Sequence, residues 1–355
     1  MTSTRDIIVR NQGIDLLRIV LMFLVSLQHV LSKSNLLDYN ISSSAYFYWF
    51  IDMLCCCAVN AYALISGYVY NKAKVEYIKI VNLWFQTFFY SFVISIIINA
   101  LFFNQPLDLS FIIKSFMPIT NNTFWYISAY FPLLFLMPFI NSGLNSFDNS
   151  KLKRLFAIII FVFSCLALFG DVWSSFGYSC LWIIILFILG NIIKRINLFE
   201  NIKSYQLVLL YLFSVFISWV SFYFTKIPRM EEYISPTTLL CAIILVIIFS
   251  RIKIASKIVD MFRSLTLGVY LLQENKFFIN IFYSNFLPLD INNNVVLTTL
   301  SIITKTLILM IIGFAIEFVR IKLFNLCKIN KLEQLVSNLL EQLINYFDKI
   351  IDLIT

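Results

Sequence analysis

The sequence GIDLLRIVLMFLVSLQHVLSK, residues 13–33, is long and apolar enough to cross a membrane as one helix, because a span needs roughly 20 residues. It nevertheless carries Asp15, Arg18 and His29, and His29 is the only histidine of the 355-residue chain. The step from Arg18 to His29 returns to within about 20° of one helix face and covers roughly 16 Å of the axis. Ionisable groups inside a membrane helix face a partner or a polar cavity. The pattern therefore predicts a functional face.

The composition excludes an ordinary soluble domain. Hydrophobic residues make up 60% of the chain and charged residues 13%, with a mean hydropathy of +0.86. The net charge of +8 could suggest a nucleic-acid partner, but in a membrane protein basic residues first indicate topology. The seven cysteines include no CxxC pair, so they are predicted to pack in the bundle rather than to hold a metal.

Apolar segments bounded by charges or turn residues predict an all-α, polytopic membrane bundle of about ten helices. The segments run approximately over residues 13–32, 46–70, 78–103, 123–142, 153–170, 177–194, 204–224, 233–250, 264–285 and 295–320. No linker implies a second large domain, so residues 1–328 are predicted to form one integral membrane domain.

Basic residues are distributed unequally between alternate loops, nineteen on one side against five on the other. The richer side collects Arg5, Arg10, Lys72, Lys74, Lys79, Lys151, Lys153, Arg154, Lys194, Arg195, Lys203, Arg251, Lys253, Lys257, Arg263, Arg320, Lys322, Lys328 and Lys331. The poorer side has Lys33, Lys114, Lys226, Arg229 and Lys276. By the positive-inside rule both termini of this multi-pass chain are predicted to lie in the cytoplasm. We expect the membrane to be the cell membrane of a bacterium.

The C-terminal residues 329–355 follow a different pattern. Their apolar side chains recur in alternating steps of four and three residues, which predicts an amphipathic cytoplasmic helix. Such a helix either lies on the inner membrane surface or pairs with a partner helix, and we favour the membrane surface.

Several other polar residues lie within apolar segments. With the predicted topology, Asp52 reaches the same depth as His29, where its carboxylate could fix the imidazole tautomer of a general base. Trp125 and Tyr126 open the fourth segment, where they suit either an interfacial belt or a sugar-stacking site. The ninth segment contains Glu274, for which Lys305 of the tenth is a candidate partner.

Three function classes fit these residues. A secondary transporter would use intramembrane charges, but no inverted half-repeat is visible. A non-catalytic partner in envelope assembly would use the C-terminal helix for docking. A membrane-embedded transferase needs a base, an anion-binding cation and a passage between the two faces, and the stripe from Arg18 to His29 supplies all three.

The motifs resemble those of the acyltransferase family 3 membrane proteins. Residues 14–30, IDLLRIVLMFLVSLQHV, are similar to the opening motif of that family, in which an arginine, ten residues and a histidine follow one another. Five further stretches agree in the family's order: LISGYVYNKAK (64–74), TFWYISAYFPLLFLMPFIN (123–141), GYSCLWIIILFILGNIIK (177–194), YISPTTLLCAIILVIIF (233–249) and LTLGVYLLQEN (265–275). The resemblance covers roughly residues 10 to 325.

This resemblance implies an O-acyltransferase that takes an acyl group, most often acetyl, from acyl-CoA as a co-substrate. The usual acceptors are hydroxyls of surface polysaccharides or related envelope glycans. By resemblance, His29 is the catalytic histidine and Arg18 its motif partner. The partners it implies are membrane lipid, the carbohydrate acceptor, and glycan-assembly proteins or a second copy of the chain.

The chain departs from the family pattern at two places. The Arg-x-x-Arg pair that the family often carries at the start of the third span is replaced by Lys79 and Asn82. Gln273 stands where the span-nine motif often has a histidine.

The expected site follows from these residues. Coenzyme A phosphates are expected to meet Arg18, Lys79, Lys72 and Lys74. The acceptor is expected to meet Trp125, Tyr126, Glu274 and Asn275, with His29, Asp52 and Arg18 as the catalytic group.

Overall fold

The computed structural model describes residues 10–34, 36–38, 44–225, 230, 232–283 and 294–355, and this part of the chain is helical without strands. We number its helices in chain order. They are α1 (Gln12–Ser32), α2 (Ala45–Val69), α3 (Tyr77–Phe103), α4 (Leu109–Phe116), α5 (Trp125–Asn145), α6 (Asn149–Phe169), α7 (Cys180–Arg195), α8 (Ser204–Thr225), α9 (Pro236–Ser250), α10 (Lys257–Arg263), α11 (Thr266–Gln273), α12 (Lys276–Ile281), α13 (Val295–Leu326) and α14 (Ile329–Ile354).

The all-helical class is confirmed, and each of the ten predicted segments coincides with a helix or a helix pair. Among the described residues, seven helices are long and apolar enough to cross a membrane: α1, α2, α3, α5, α6, α8 and α13. The count of ten spans and their orientation stay predictions. Arg5, Lys226, Arg229 and the last two residues of the segment 264–285 lie outside the described residues.

The three remaining segments are shorter for physical reasons. Helices α7 and α9 contain 16 and 15 residues, and most of their side chains are buried between neighbouring helices. The ninth segment breaks into α11 and α12 because the side chain of Asn275 accepts hydrogen bonds from the backbone N–H groups of Phe277 and Phe278. That bond pattern caps a new helix and ends the first.

Helix α1 begins where the polar sequence meets the apolar run. The Asn11 side chain accepts hydrogen bonds from the N–H groups of Gly13 and Ile14, and its amide donates to the carbonyl of Ser250 at 2.7 Å. The Gln12 amide donates to Asp260 at 3.0 Å. These bonds fasten the start of α1 to the end of α9 and to α10.

Helices α2 and α7 approach each other closely through two glycines. A Cβ atom added to Gly67 would lie 1.9 Å from the carbonyl oxygen of Phe187, and one added to Gly190 would lie 2.0 Å from that of Leu64. Small residues at such crossings let helix backbones pack directly in membrane proteins. The contact holds α2 against the centre of the bundle.

A buried carboxylate joins α3 to α13. Glu317 accepts hydrogen bonds from Gln86 at 3.0 Å, from the hydroxyl of Tyr90 at 2.8 Å and from Arg320 at 2.6 Å. Tyr90 lies in a π-helical stretch, Phe89–Ile94, and such stretches often mark functional regions. A Cβ atom on Gly268 would lie 2.6 Å from both the Glu317 carboxylate and the Tyr90 hydroxyl, so this network also sets the position of α11.

Residues 329–355 form the predicted helix, α14, which packs beside the first turns of α3. Glu333 and Ser337 are buried on the packed side, whereas Leu332, Leu339 and Tyr346 are exposed. The exposed apolar side has the pattern of a helix that lies in a membrane surface. Its location there stays a prediction.

The close contact at Gly67 predicts that replacing glycine by alanine changes thermal stability in opposite directions at two positions. Gly67→Ala should lower the thermal stability of the detergent-solubilised protein, since overpacking a core costs about 1–3 kcal/mol. Gly143→Ala is the matched control, because nothing lies within 4 Å of its added Cβ and alanine favours helix by about 1 kcal/mol. Equal melting temperatures for the two variants would contradict the close packing of α2 on α7.

Candidate active site

Arg18 and His29 both line one cavity inside the bundle, which we call the central cavity. Its volume is about 280 Å³. Met22 and Val25, between them on α1, line the same wall. The polar face that the sequence predicts on this helix therefore faces an internal space rather than lipid.

His29 contacts a carboxylate at the end of α11. Its Nε2 atom lies 3.3 Å from Oε1 of Glu274. An imidazole N–H that donates to a carboxylate leaves the other ring nitrogen as the proton acceptor. This pair thus has the arrangement of a general base and the group that orients it.

Asp52, which the sequence suggests as the partner of His29, lies elsewhere in the described structure. Its Oδ2 is 3.5 Å from Sγ of Cys56, and that sulfur accepts a hydrogen bond from Gln28 at 3.3 Å. A similar predicted depth carries no information about the rotation of α2, which decides where the Asp52 side chain points. The described residues give His29 a different carboxylate, Glu274.

Arg18 forms an ion pair with Asp15, whose carboxylate is surrounded by arginines. Asp15 is buried and lies 2.5 Å from Nη1 of Arg18, 2.6 Å from Nε of Arg10 and 3.6 Å from Nε of Arg263. Removing one partner of a buried charge typically costs about 3–5 kcal/mol. The ion pair therefore gives Arg18 a structural role, and Asp15 fixes one side of its guanidinium.

The same guanidinium also reaches a second cavity, of about 200 Å³, which we call the Arg18-end cavity. Lys79 and Glu76 line it and form an ion pair at 2.6 Å. Lys72 and Lys74 are exposed in the segment between α2 and α3 and are not part of the cavity wall. Arg18, Ser66 and Tyr130 belong to the walls of both this cavity and the central one.

Tyrosines from three helices shape the central cavity. The hydroxyl of Tyr62 donates to the carbonyl of Arg18 at 2.5 Å, the hydroxyls of Tyr130 and Ser66 are 3.0 Å apart, and the Tyr270 hydroxyl accepts from the Tyr126 N–H at 3.3 Å. Of these tyrosines the sequence singled out Tyr126 alone. The sequence signal for Tyr130 was its spacing of one helical turn from Tyr126. Tyr62 and Tyr270 reach the central cavity only through tertiary packing.

Trp125 belongs to an aromatic group near the His29 end. Its ring is stacked on that of Tyr233 with centroids 5.7 Å apart, and the Tyr178 ring lies 4.6 Å from it. Trp125 and Tyr233 line the central cavity. The loop before Tyr178 is held by Asp171, whose carboxylate accepts hydrogen bonds from the N–H groups of Trp173 and Ser174.

A third and more polar cavity lies beyond His29, which we call the outer cavity. Its volume is about 470 Å³, and Glu274 and Asn275 form part of its wall. Asn275 is buried, and its amide donates to the Tyr90 carbonyl at 2.9 Å and to the Ser95 hydroxyl at 2.7 Å. Since its carbonyl oxygen also caps α12, Asn275 holds the adjacent Glu274 in place, and the His29–Glu274 contact joins the two cavities.

Shared residues and one contact thus link the three cavities. Arg18 is shared between the Arg18-end cavity and the central cavity, and the His29–Glu274 contact joins the central cavity to the outer cavity. The arrangement provides a cation at one end, an apolar passage in the middle and an oriented imidazole at the other end. Such a set of groups can bind an anionic carrier and remove a proton from an acceptor.

A comparison with protein families identifies the family of the chain. The model of the acyltransferase domain that defines acyltransferase family 3 matches residues 11–318, which is nearly the whole chain. No curated protein and no solved structure matches the chain. The chain belongs to acyltransferase family 3 and is a multi-pass membrane protein by its apolar helices.

The contact of His29 with Glu274 rather than Asp52 predicts which carboxylate matters for acyl transfer. Glu274→Gln should lower the transfer rate by roughly 10²-fold, because a glutamine amide can donate to Nε2 and favour the wrong tautomer. Asp52→Asn should retain activity within a few-fold. The measurement is the initial rate of both variants at equal protein, over a range of pH, and the reverse ranking of the two variants would contradict the assignment.

Proposed function

We propose that this member of acyltransferase family 3 transfers an acyl group, acetyl in the simplest case, from acyl-CoA to a hydroxyl of a surface or exported carbohydrate. One observation supports this proposal: Arg18 and His29 line the same central cavity. Arg18 also lines the Arg18-end cavity, and Glu274, which contacts His29, lines the outer cavity.

The donor is proposed to bind at the Arg18 end, on the cytoplasmic side. A guanidinium keeps several N–H donors besides the one that faces Asp15, so Arg18 can hold a phosphate while its ion pair persists. Lys79 adds a point charge on the same cavity wall. Lys72 and Lys74 add positive charge to the approach, since both are exposed on the adjoining segment.

The acyl-bearing arm of the donor is proposed to enter the central cavity. Apolar side chains such as Val25, Val59 and Leu83 line this space beside the tyrosines, which suits an uncharged amide chain better than a phosphate. To reach His29 from Arg18, the arm has to cross roughly 16 Å along α1. A passage of this kind would keep the thioester away from water until the acceptor arrives.

His29 is proposed to act as the general base at the outer end. With Nε2–H donated to Glu274, the lone pair of Nδ1 takes the proton of the acceptor hydroxyl as its oxygen attacks the thioester carbonyl. The carbon–sulfur bond breaks, and the leaving thiolate takes the proton back from the imidazolium. An acyl-histidine relay is the alternative route, in which the imidazole nitrogen attacks first and the hydroxyl then receives the acyl group.

The acceptor is proposed to approach His29 through the outer cavity and the aromatic group around Trp125. Stacking of a sugar ring on Trp125, with Tyr126 closing the wall beside it, would follow the usual preference of carbohydrate-binding sites for flat aromatic surfaces with convergent polar groups. Glu274 and Asn275 line the cavity that leads there.

The role of His29 predicts a variant that is intact but inactive. His29→Ala should lower acyl transfer by roughly 10²-fold or more, while membrane insertion and abundance stay at the wild-type level. The matched control is Ser32→Ala, one turn further along α1 at an exposed position. The measurement is the ester-linked acetyl content of the envelope glycan from a deletion strain complemented with each variant.

Three outcomes would contradict this proposal. Normal glycan acetylation with His29→Ala would exclude the imidazole as the base. An unchanged glycan in the deletion strain together with altered solute uptake would favour a transporter of an envelope precursor, and an unchanged uptake with failed glycan assembly would favour a non-catalytic assembly partner.

A further inference from the structure

The walls of the outer and central cavities differ in chemistry. Serine, threonine and asparagine side chains form much of the outer wall: Ser91, Ser95, Ser115, Asn121, Asn122 and Thr123. Its volume, about 470 Å³, falls within the range of roughly 300–1,000 Å³ that small-molecule sites occupy. A wall of hydroxyl and amide groups suits a ligand that offers many hydrogen-bonding groups of its own, as a sugar does.

One hydroxyl on this wall has no partner in the described part of the chain. The Ser91 side chain is only 3% exposed, and its Oγ makes no hydrogen bond to any described residue. Buried polar groups are nearly always satisfied in folded proteins. The Ser91 Oγ is thus a buried, unsatisfied polar atom beside the cavity wall.

The charges on the wall are unequal. Lys114 and Lys276 both line the cavity, and neither forms an ion pair with a described residue. Glu274 is the acidic residue on the wall, and its carboxylate already contacts His29. The cavity therefore presents two ammonium groups that its own wall does not neutralise.

Aromatic packing joins the two helices that carry these lysines. The rings of Phe111 on α4 and Phe277 on α12 meet edge to face, with centroids 5.5 Å apart and an interplanar angle of 88°. Lys114 follows Phe111 by one helical turn, and Lys276 precedes Phe277 directly. The contact thus ties together the two helices that carry the ammonium groups, so both line the same space.

We infer that the acceptor is an anionic glycan, whose carboxylate or phosphate group is bound by Lys114 and Lys276 while a neighbouring hydroxyl points to the His29–Glu274 pair. A lysine ammonium binds either anion as a point charge. This inference rests on the proposed function and narrows it to the class of acceptor.

The test measures binding and transfer separately. The ligand is the envelope glycan extracted from a deletion strain, used in three forms: untreated, with its carboxylates reduced to alcohols, and with its phosphates removed. The protein is the purified full chain in nanodiscs, as the wild type and as two variants. One variant combines Lys114→Gln with Lys276→Gln, and the matched control is Lys203→Gln, at an exposed position outside the cavity. Binding is followed by titration, and transfer by the acetyl label from acetyl-CoA.

We expect one of the two neutralised glycans to bind about tenfold more weakly than the untreated form, in line with the strength of charged hydrogen bonds. If the weaker ligand is the glycan with reduced carboxylates, the bound anion is a carboxylate; if it is the glycan without phosphates, the bound anion is a phosphate. The double lysine variant should lose the same affinity for the untreated glycan and no longer discriminate, whereas Lys203→Gln should behave as the wild type. Equal binding of all three glycans by the wild-type chain, or unchanged binding by the double variant, would overturn the inference.

The binding measurement keeps this inference distinct from the proposed function. If the wild-type chain binds the anionic glycan through the two lysines but transfers no acetyl group, the proposed function fails and the anionic ligand stands. If it transfers acetyl equally well to untreated and neutralised glycans, the proposed function stands and the requirement for an anion is wrong.

Discussion

An ionisable side chain in a helix of membrane-spanning length needs a partner or a polar space, because hydrocarbon solvates neither. Helix α1 carries three such groups, and each meets this need differently. Asp15 lies among three arginines, Arg18 lies between that carboxylate and two cavities, and His29 contacts Glu274 beside a third cavity. Arg18 and His29 thus face cavities inside the bundle rather than hydrocarbon.

The surrounding bundle serves that arrangement. Gly67 and Gly190 let α2 and α7 pack directly, which brings Tyr62 to the wall of the central cavity. The Glu317 network joins α3 to α13 and, through Gly268, sets the place of α11. Asn275 then ends α11 and holds Glu274 against His29. The position of the His29–Glu274 pair thus depends on small residues and buried polar bonds in other parts of the bundle.

Much of this could be predicted from the sequence, and the reasons are local. Hydrophobic runs bounded by charges locate helices, and the step from Arg18 to His29 identifies one face by helical periodicity alone. The contacts between helices and the lengths of the buried helices depend on tertiary packing, which the sequence pattern does not give. The predicted depth of Asp52 says nothing of its rotation about α2, and in the described residues the carboxylate that contacts His29 is that of Glu274. Tyr62 and Tyr270 reach the cavity only through helix crossings, and the shortness of α7 and α9 follows from their burial between neighbours.

In the reaction that we propose, the acyl group travels along α1 from a donor on one side of the membrane to an acceptor on the other. The most direct measurement uses proteoliposomes of the full chain with the glycan sealed inside and labelled acetyl-CoA outside. The account predicts label on the enclosed glycan with the wild-type chain and none with His29→Ala. Label that reaches the glycan only when donor and acceptor share one side of the membrane would contradict it.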